Sequence, residues 1–523
     1  MRTETRNDPP PESSPAVRGR IAHGRELSGD LTLECDDVIV GSGAGASVIA
    51  CHLAEAGRDV VVLEEGGHVE PHEFARMRPS QTMRHAWRDA GLTMAVPLGD
   101  SPPINVMMGR CIGGSSAMTG GVCFRAPDYV LADWRALGLT DFTPEAMEPY
   151  FADVEKSVHV EEVPESMRSR STALFAEGAA KLGYRVEAMR RNTNGCVGWS
   201  TCNFGCPQGA KMSVDRSYLP RAVAAGARVH SDCLVERVLV DGSRAVGVEG
   251  RVLNGPRGKP RSRLRVRAKR VILGAGSLYT PLILLKTGVG RRSGQVGRNL
   301  TLHPGFRIMA RFDERVEGWR GALQSAFSSA YEPDGIQLNS VFVPGGILAA
   351  TMPGIGNHHH ARALQIPHLA IFGANLHDAG GGRVRQGLGR DPFVTYRMNS
   401  KDRAAARRAL RICADTFFAA GAKEIFLPIL GLDGMDVDKF RAFDLDRISA
   451  RRFECASQHP LGTCRMGVSE DDSVVNEWGE AWDLPGLFLA DGSIVPTSLG
   501  VNPQLSIMTL ATRIAWKMRE ASA

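Results

Sequence analysis

Several features that would place the chain in a special class are absent from its 523 residues. No apolar run reaches the roughly eighteen residues that a transmembrane helix needs, so no membrane span is expected. The first thirty residues lack the basic segment followed by an apolar core that marks a secretory signal. These absences predict a cytoplasmic protein, and residues 1–30, with their prolines and charges, are predicted to form a disordered tail.

A strong charge of one sign is also missing. The formal net charge is +6 over 523 residues, which is too weak to predict a nucleic-acid partner. The eleven cysteines are odd in number and irregularly spaced, which favours a reducing compartment over a disulfide framework. No internal repeat is present, and the length suits two interleaved domains better than one.

What the chain does contain begins with a strand, a glycine turn and a helix. Residues 37–40 form a short apolar run that is typical of a strand buried on both faces. After the turn, a helix is predicted to run to about Ala56 and to end at Gly57. Residues 60–63 give a second apolar strand with Glu64 at its end. This order predicts a βαβ unit with parallel strands.

The turn carries the spacing of a dinucleotide-binding site. Gly41 permits the tight turn, Gly43 leaves its backbone open to a pyrophosphate, and Ala46 lets the helix lie close to the strand. The helix N-terminus offers N–H groups to phosphate oxygens, and a carboxylate about twenty residues later binds ribose hydroxyls in such sites. The residues expected at the cofactor are therefore Gly41, Gly43, Ala44, Gly45, Ala46 and Glu64.

The position of this unit favours FAD over NAD. An enzyme that used both would be expected to carry a second dinucleotide unit, and the sequence shows none. The unit stands at the start of the ordered chain, and a closing strand is predicted at residues 487–490 near the C-terminus. This placement is the flavoprotein arrangement.

Three further segments resemble signatures of the glucose–methanol–choline (GMC) oxidoreductases. The first is Gly-Arg-Cys-Ile-Gly-Gly-Ser-Ser at residues 109–116, and the second spans residues 276–290. The third joins His-Pro-Leu-Gly-Thr-Cys at 459–464 to Asp-Gly-Ser at 491–493 and Gly-Val-Asn-Pro at 500–503. The resemblance extends over nearly the whole chain from about Cys35 and is strongest to the long-chain alcohol oxidase and cholesterol oxidase branch.

The resemblance implies a fold and a reaction. The fold class is mixed α/β, with a Rossmann-like FAD-binding domain interleaved with a substrate domain built on an antiparallel sheet flanked by helices. Residues 31–134, 208–305 and 455–523 are assigned to the first domain, and residues 135–207 and 306–454 to the second. The implied reaction is FAD-dependent oxidation of an alcohol to an aldehyde or ketone by hydride transfer to the flavin. The implied substrate is an apolar long-chain or sterol-like alcohol, and the electron acceptor is oxygen or another, unknown molecule.

The resemblance also adds residues to the cofactor site. Besides those of the glycine turn, they are Gly113, Gly114, Ser115, Ser116, Thr119, Val235, Gly276, Asp491, Gly492, Asn502 and Pro503. Two positions depart from the family pattern: Thr119 stands where an asparagine near the flavin ring is common, and Thr287 replaces a serine.

His459 and Asn502 are the predicted catalytic pair. Alcohol oxidation needs a base for the hydroxyl proton, and an imidazole that is neutral near pH 7 can accept it. An amide cannot act as a base, but it can donate to the substrate oxygen as alkoxide character builds. The resemblance implies the same pair. Asn502 has a competing role as N-cap of the last helix, because Pro503 suits the first helical position.

Cys196, Cys202 and Cys206 follow the spacing C-x5-C-x3-C. This spacing is compatible with iron–sulfur ligation, and some bacterial sugar dehydrogenases of the GMC family carry a cluster at a similar spacing. The alternative is three thiols packed in a loop, or a loose zinc site. Other functions therefore stay open: an iron–sulfur flavin dehydrogenase that passes electrons from a polyol or sugar to a redox partner, a non-redox lyase, or a catalytically silent flavin-binding protein.

Overall fold

The computed structural model describes residues 21–256, 258–290 and 292–520. Its strands in chain order are β1 (Ile21–His23), β2 (Leu31–Val40), β3 (Val60–Leu63), β4 (Thr93–Pro97), β5 (Ile104–Val106), β6 (Val160–Glu162), β7 (Glu187–Ala188), β8 (Arg190–Asn192), β9 (Arg228–Ser231), β10 (Cys233–Asp241), β11 (Arg244–Leu253), β12 (Pro260–Leu273), β13 (Gly305–Arg311), β14 (Ala326–Ser328), β15 (Ile336–Ser340), β16 (Leu369–Leu376), β17 (Arg383–Gln386), β18 (Pro392–Tyr396), β19 (Glu424–Phe426), β20 (Cys455–Ser457) and β21 (Leu487–Leu489).

The α-helices of the same residues are α1 (Ala44–Glu55), α2 (Pro71–Phe74), α3 (Pro79–Ala86), α4 (Gly114–Met118), α5 (Asp128–Ala136), α6 (Pro144–Ser157), α7 (Arg170–Lys181), α8 (Tyr218–Ala224), α9 (Thr280–Thr287), α10 (Gly345–Ala350), α11 (Gly356–Ala363), α12 (Ser400–Ala419), α13 (Val437–Ala442) and α14 (Gln504–Glu520). None of the helices in this part of the chain combines the length and the apolar content needed to cross a membrane.

The first sheet has the strand order β1-β9-β3-β2-β12-β11-β10, and β21 pairs with β12. Strands β1, β9, β3, β2, β12 and β21 pair in parallel, whereas β12, β11 and β10 pair antiparallel. Every residue of β3 is buried, as expected for a strand covered on both faces. Helix α1 packs against α14 and α8, and it ends just before Gly57, which has φ +78°. The predicted βαβ unit and Rossmann-like fold are confirmed.

The second sheet has the order β17-β18-β4-β5-β20-β13-β16-β15-β14-β7, and β19 pairs with β13. It is mainly antiparallel, with parallel pairing only between β18 and β4 and between β20 and β5 among the described strands. Helices α7 and α12 cover one face and bury an apolar core against it. The opposite face is left to bound a cavity. An antiparallel sheet flanked by helices, as predicted, is therefore present, with two parallel pairs added.

Two predicted boundaries need correction. The tail predicted for residues 1–30 is wrong for residues 21–30, because β1 pairs in parallel with β9 and Ile21 is buried there; residues 1–20 lie outside the described residues. Strands β4, β5 and β20 were assigned to the first domain, yet they pair within the second sheet. Conversely, α6 packs against α14 and the first core. The chain crosses between the sheets more often than its motifs indicate.

Candidate active site

A cavity of about 980 Å³ lies between the two sheets. It runs from the glycine turn after β2, past α4 and the start of α14, to the face of the second sheet that α7 and α12 leave open. Its wall therefore combines residues from both sheets and from both ends of the described chain.

The glycine turn is packed so tightly that two of its glycines have no room for a side chain. Gly41 has φ +93°, and a Cβ there would lie 2.3 Å from the carbonyl oxygen of Gly274. A Cβ on Gly45 would lie 1.7 Å from the carbonyl oxygen of Ala490. A Cβ on Gly43, by contrast, would meet nothing within 4 Å. The Gly43 backbone is open at the N-terminus of α1, which fits the pyrophosphate of a dinucleotide.

Glu64, at the end of β3, is buried beside this turn. Its carboxylate accepts hydrogen bonds from Ser42 N at 3.0 Å, from Ser42 Oγ at 2.7 Å and from Gly66 N at 2.8 Å. Burial raises the pKa of Glu64, and these hydrogen bonds oppose that rise. A carboxylate offers about four lone-pair directions, so one remains for a ribose hydroxyl. Glu64 therefore fixes the glycine turn itself, a task that its position in the sequence did not indicate.

The segment around α4 lies directly on the glycine turn. A Cβ on Gly114 would be 2.9 Å from Cα of Gly43, so the two backbones are in contact. The Ser115 hydroxyl accepts a hydrogen bond from a backbone N–H of the same segment at 3.0 Å. The Ser116 hydroxyl donates to a carbonyl one turn earlier at 2.8 Å. Both hydroxyls thus hold the local fold, in addition to facing the cavity.

Asp491 joins the second and third signature segments. Its Oδ2 accepts from Gly276 N at 2.8 Å and from Thr280 Oγ1 at 2.5 Å, and its Oδ1 accepts from Ser493 N at 2.8 Å. Burial raises the pKa of this carboxyl group, while the hydrogen bonds from Ser493 and Thr280 oppose the rise. Asp491 therefore ties the start of α9 to the end of β21.

The cavity wall includes most residues predicted for the cofactor. They are Gly41, Gly43, Ala44, Gly45, Glu64, Gly114, Ser115, Ser116, Thr119, Val235, Gly276, Asp491, Gly492, Asn502 and Pro503. Ala46 and Gly113 are not part of the wall. Ala46 instead packs against Gly274, where a Cβ would come within 2.7 Å of its methyl group. Gly113 donates its N–H to Ser42 Oγ at 3.1 Å. The geometry therefore does not support direct contact of Ala46 or Gly113 with a cofactor.

His459 and Asn502 meet at the cavity wall from distant parts of the chain. Nε2 of His459 lies 3.1 Å from Nδ2 of Asn502, a hydrogen bond in which the amide donates when Nε2 carries no proton. Nδ1 of His459 and Oδ1 of Asn502 are buried and have no hydrogen-bond partner among the described residues. Helix α14 begins at Gln504, so Asn502 lies just before it. The pair thus presents unsatisfied polar atoms at the N-terminus of a helix.

His303 packs against this pair and was not predicted. Its ring centroid is 5.4 Å from that of His459, with the rings nearly edge to face. Its Nε2 accepts from Leu499 N at 2.9 Å and from Gly500 N at 3.3 Å, so this nitrogen carries no proton. The dipeptide His303-Pro304 has the same sequence as His459-Pro460. This repetition is the only sequence signal we find that could have indicated a role for His303.

Burial keeps both imidazoles neutral. The pKa of His459 is lowered to about 3, first by burial and then by His303, while Asp378 opposes the shift. The pKa of His303 is also lowered to about 3, first by burial and then by His377. Asp378 fixes the backbone here by accepting from His303 N at 3.0 Å and from Ser498 Oγ at 3.1 Å. Both rings are therefore neutral at neutral pH, and the acceptor nitrogen of His303 is already occupied by the N–H groups of Leu499 and Gly500.

Charged side chains outside the motifs complete the cofactor side. Lys211 is buried, and its Nζ donates to the carbonyl oxygens of Ala117 at 2.7 Å and Thr119 at 2.8 Å. It therefore fixes the end of α4, where the chain borders the cavity.

Glu65 and Arg88 form an ion pair in the cavity wall, with two hydrogen bonds of 2.8 and 2.6 Å. Glu65 also lies 3.6 Å from Arg110, so this carboxylate is shared by two arginines of the wall.

The three cysteines of the predicted metal site do not form one. In the described part of the chain, no three His, Cys, Asp or Glu side chains are placed to hold a metal ion. Arg191 Nη2 instead donates to Cys202 Sγ at 3.0 Å. Burial alone would raise the pKa of Cys202, but Arg191 and then Lys211 outweigh it and the pKa is lowered. Arg191 and Lys211 therefore favour the thiolate form of Cys202, and ligation of a metal by Cys196, Cys202 and Cys206 has no geometric support among the described residues.

Comparison with known proteins agrees with this geometry. Residues 35–305 and 388–511 match the N- and C-terminal models of the GMC oxidoreductases. An uncharacterized GMC-type oxidoreductase of Mycobacterium tuberculosis is 37% identical over 484 residues, which are 92% of this chain and 75% of that protein. A long-chain-alcohol oxidase of Arabidopsis thaliana is 29% identical over 526 residues, covering 93% and 67% of the two chains.

A solved structure shares the fold. The crystal structure of pyridoxine 4-oxidase from Mesorbium loti superposes with a TM-score of 0.70 at 19% identity, over 93% of this chain and 99% of that one. The family models cover most of the cavity wall described above, including the glycine turn and the His459–Asn502 pair. The chain therefore belongs to the GMC oxidoreductase family and is a flavoprotein oxidoreductase.

Proposed function

We propose that the chain oxidises an alcohol with an apolar body to the aldehyde or ketone, with FAD as the hydride acceptor. The observation that carries the proposal is the 3.1 Å contact of His459 Nε2 with Asn502 Nδ2 at the cavity wall. Two unsatisfied polar atoms of this pair, together with the open backbone at Gly43, give a place for a substrate oxygen and for a pyrophosphate in one cavity.

His459 takes the hydroxyl proton of the substrate. Its imidazole is neutral at physiological pH because burial lowers its pKa to about 3. Asn502 donates a hydrogen bond to the substrate oxygen as negative charge builds there. Pro460 restricts the backbone beside the base, and His303 supports the ring edge to face. FAD supplies the acceptor for the hydride when it is bound.

The far side of the cavity supports an apolar substrate body. Val341, Val343 and Ile347 of the second sheet's side line it, and Met107 and Met108 also form part of its wall. Aliphatic and thioether side chains favour contact with an alkyl chain or a similar apolar body. Oxygen or another acceptor then removes the electrons from the enzyme.

The test is an anaerobic absorbance titration of the FAD-loaded protein with 1-decanol. The flavin bands should bleach, and admitting oxygen should restore them if oxygen is the acceptor. His459→Gln should bleach far more slowly, whereas His85→Gln, at an exposed surface histidine, should behave as the unchanged protein. If neither alcohols, sterols nor sugars bleach the bands, the proposal is wrong and a lyase is favoured. If the protein takes up no FAD, the cofactor assignment is wrong as well.

A further inference from the structure

The second sheet presents polar side chains to the cavity in two cross-strand rows. Arg307 on β13 pairs with Gly373 on β16, which pairs with Asn339 on β15. Directly paired residues of antiparallel strands point to the same face. The neighbouring row is formed by Gly305 and Asn375, and all five residues line the cavity. Gly373 lies so close to β13 that a Cβ there would be 2.5 Å from the carbonyl oxygen of Phe306, so the three strands pack tightly at this row.

Arg307 is a cation without a partner. Among the described residues it makes no hydrogen bond and no ion pair within 4 Å, and burial lowers its pKa. The guanidinium nevertheless keeps its proton in proteins. Glu454 is the acid that acts on it electrostatically, and its side chain is not part of the cavity wall. A partly buried charge without a partner is costly, so this position indicates an anionic ligand.

Arg307 differs from Arg88, another arginine of this wall, which forms two hydrogen bonds with Glu65. Asn339 is buried, and its Oδ1 lacks a hydrogen-bond partner within the described ranges. Arg307 and Asn339 therefore face the same space from two strands, and only the guanidinium can bind an anion there, because the free Asn339 Oδ1 is itself an acceptor.

We propose that Arg307 binds a carboxylate carried by the alcohol substrate, which is then a hydroxy acid with an apolar spacer between its two groups. This inference rests on the function proposed above and narrows its substrate class. The planar guanidinium can donate two parallel hydrogen bonds to a carboxylate. Arg307 is two residues along β13 from Gly305, and Gly305 pairs with Ala456, which is three residues before His459. His459 and Arg307 therefore belong to neighbouring segments of one cavity wall, and a substrate that contacts both needs a spacer between its hydroxyl and its carboxylate.

The experiment compares 10-hydroxydecanoate with 1-decanol, which have the same chain length and differ in the carboxylate. Arg307→Gln should lower kcat/KM for the hydroxy acid about 10- to 100-fold, the loss expected for charge-assisted hydrogen bonds, and leave decanol within about 3-fold. Arg307→Lys should retain part of the preference, because the charge stays and the planar fork is lost. Equal losses on both substrates, or no loss on either, would overturn the proposal.

A binding measurement keeps this test independent of turnover. Decanoate has no hydroxyl group to oxidise, so calorimetry with the FAD-loaded protein reports binding without turnover, and the difference between variants reports the carboxylate contact. Its dissociation constant should rise about 10-fold or more in Arg307→Gln. The matched control is Arg311→Gln on the same strand, where the arginine is already paired with Glu424, and it should change nothing. If no alcohol bleaches the flavin but decanoate still binds more weakly to Arg307→Gln, only the proposed oxidation is wrong. If the dissociation constant of decanoate is the same in Arg307→Gln as in the unchanged protein, only the carboxylate site is wrong.

Discussion

The cofactor side and the substrate side of the cavity are built by different means. At the glycine turn the backbone itself forms the wall, and a side chain at Gly41 or Gly45 would collide with another backbone. On the second sheet the wall consists of side chains, such as Arg307 and Asn339, brought together by strand pairing. Backbone contact restricts the residue types that fit, so it leaves a pattern in the sequence. A side chain on a strand is restricted only by its ligand, so it leaves none.

The largest effect is expected where that backbone contact is closest. Gly45→Val places a branched side chain where even a Cβ would lie 1.7 Å from the carbonyl oxygen of Ala490. Helix α1 must then move away from the end of β21, and the loss of packing should exceed about 4 kcal/mol. We expect little folded protein, measured as the yield of soluble chain and its urea unfolding midpoint.

Gly43→Ala is the matched control and sharpens the comparison. Gly43 has φ −74°, which alanine adopts, and its Cβ would meet nothing within 4 Å. The apoprotein should therefore unfold at an unchanged urea concentration, while FAD binds more weakly because the new methyl group occupies the approach to the backbone. Equal destabilisation by both substitutions would show that the turn is only a packing element.

The same difference explains what could be predicted from the sequence. The βαβ unit, the flavoprotein fold and the positions of His459 and Asn502 followed from glycine spacing and from motifs that surround them. His303 and Lys211 did not follow, because their roles depend on contacts over long stretches of chain that no local pattern encodes. Strand β1 was missed since a short edge strand of three residues carries no alternation to detect. The cysteine spacing was compatible with a metal site or with packed thiols, and the described residues support only the thiols, with Arg191 donating to Cys202.

The next largest effect is on catalysis. His459→Gln keeps a hydrogen-bonding group beside Asn502 but removes the proton acceptor. The rate of anaerobic flavin bleaching by a saturating alcohol should fall about 100- to 10,000-fold, the usual contribution of a general base. The thermal unfolding midpoint should change little, which separates loss of the base from loss of the fold. A fall of less than a few-fold would mean that another group accepts the proton.

A smaller effect tests whether the cofactor side depends on a side chain from outside its motifs. Lys211→Met removes the donor to the carbonyl oxygens of Ala117 and Thr119 and leaves them unsatisfied. The cost should be about 2–3 kcal/mol in the free energy of unfolding, with weaker FAD binding, measured by urea denaturation and fluorescence titration. Lys181→Met is the control, because that exposed lysine donates to a single carbonyl and should cost little. If both variants had the same free energy of unfolding and the same FAD affinity, Lys211 would have no special role at the cofactor site.

The smallest effect concerns the histidines at the boundary between the two sides. His303 has a pKa of about 3 in the folded chain and about 6.5 when unfolded, so the unfolded state binds more protons between these values. Stability should therefore fall as the pH is lowered from about 6.5 toward 3, and it should be fully present above that range. Urea midpoints measured between pH 7 and pH 5 should decrease less steeply in His303→Gln, whereas His85→Gln at the exposed surface should retain the original slope. Since glutamine can still accept from the Leu499 N–H, the change in slope reports the titration rather than a lost hydrogen bond. An unchanged slope would mean that His303 is accessible to protons in the folded chain and that the wall beside His459 is wetter than its packing indicates.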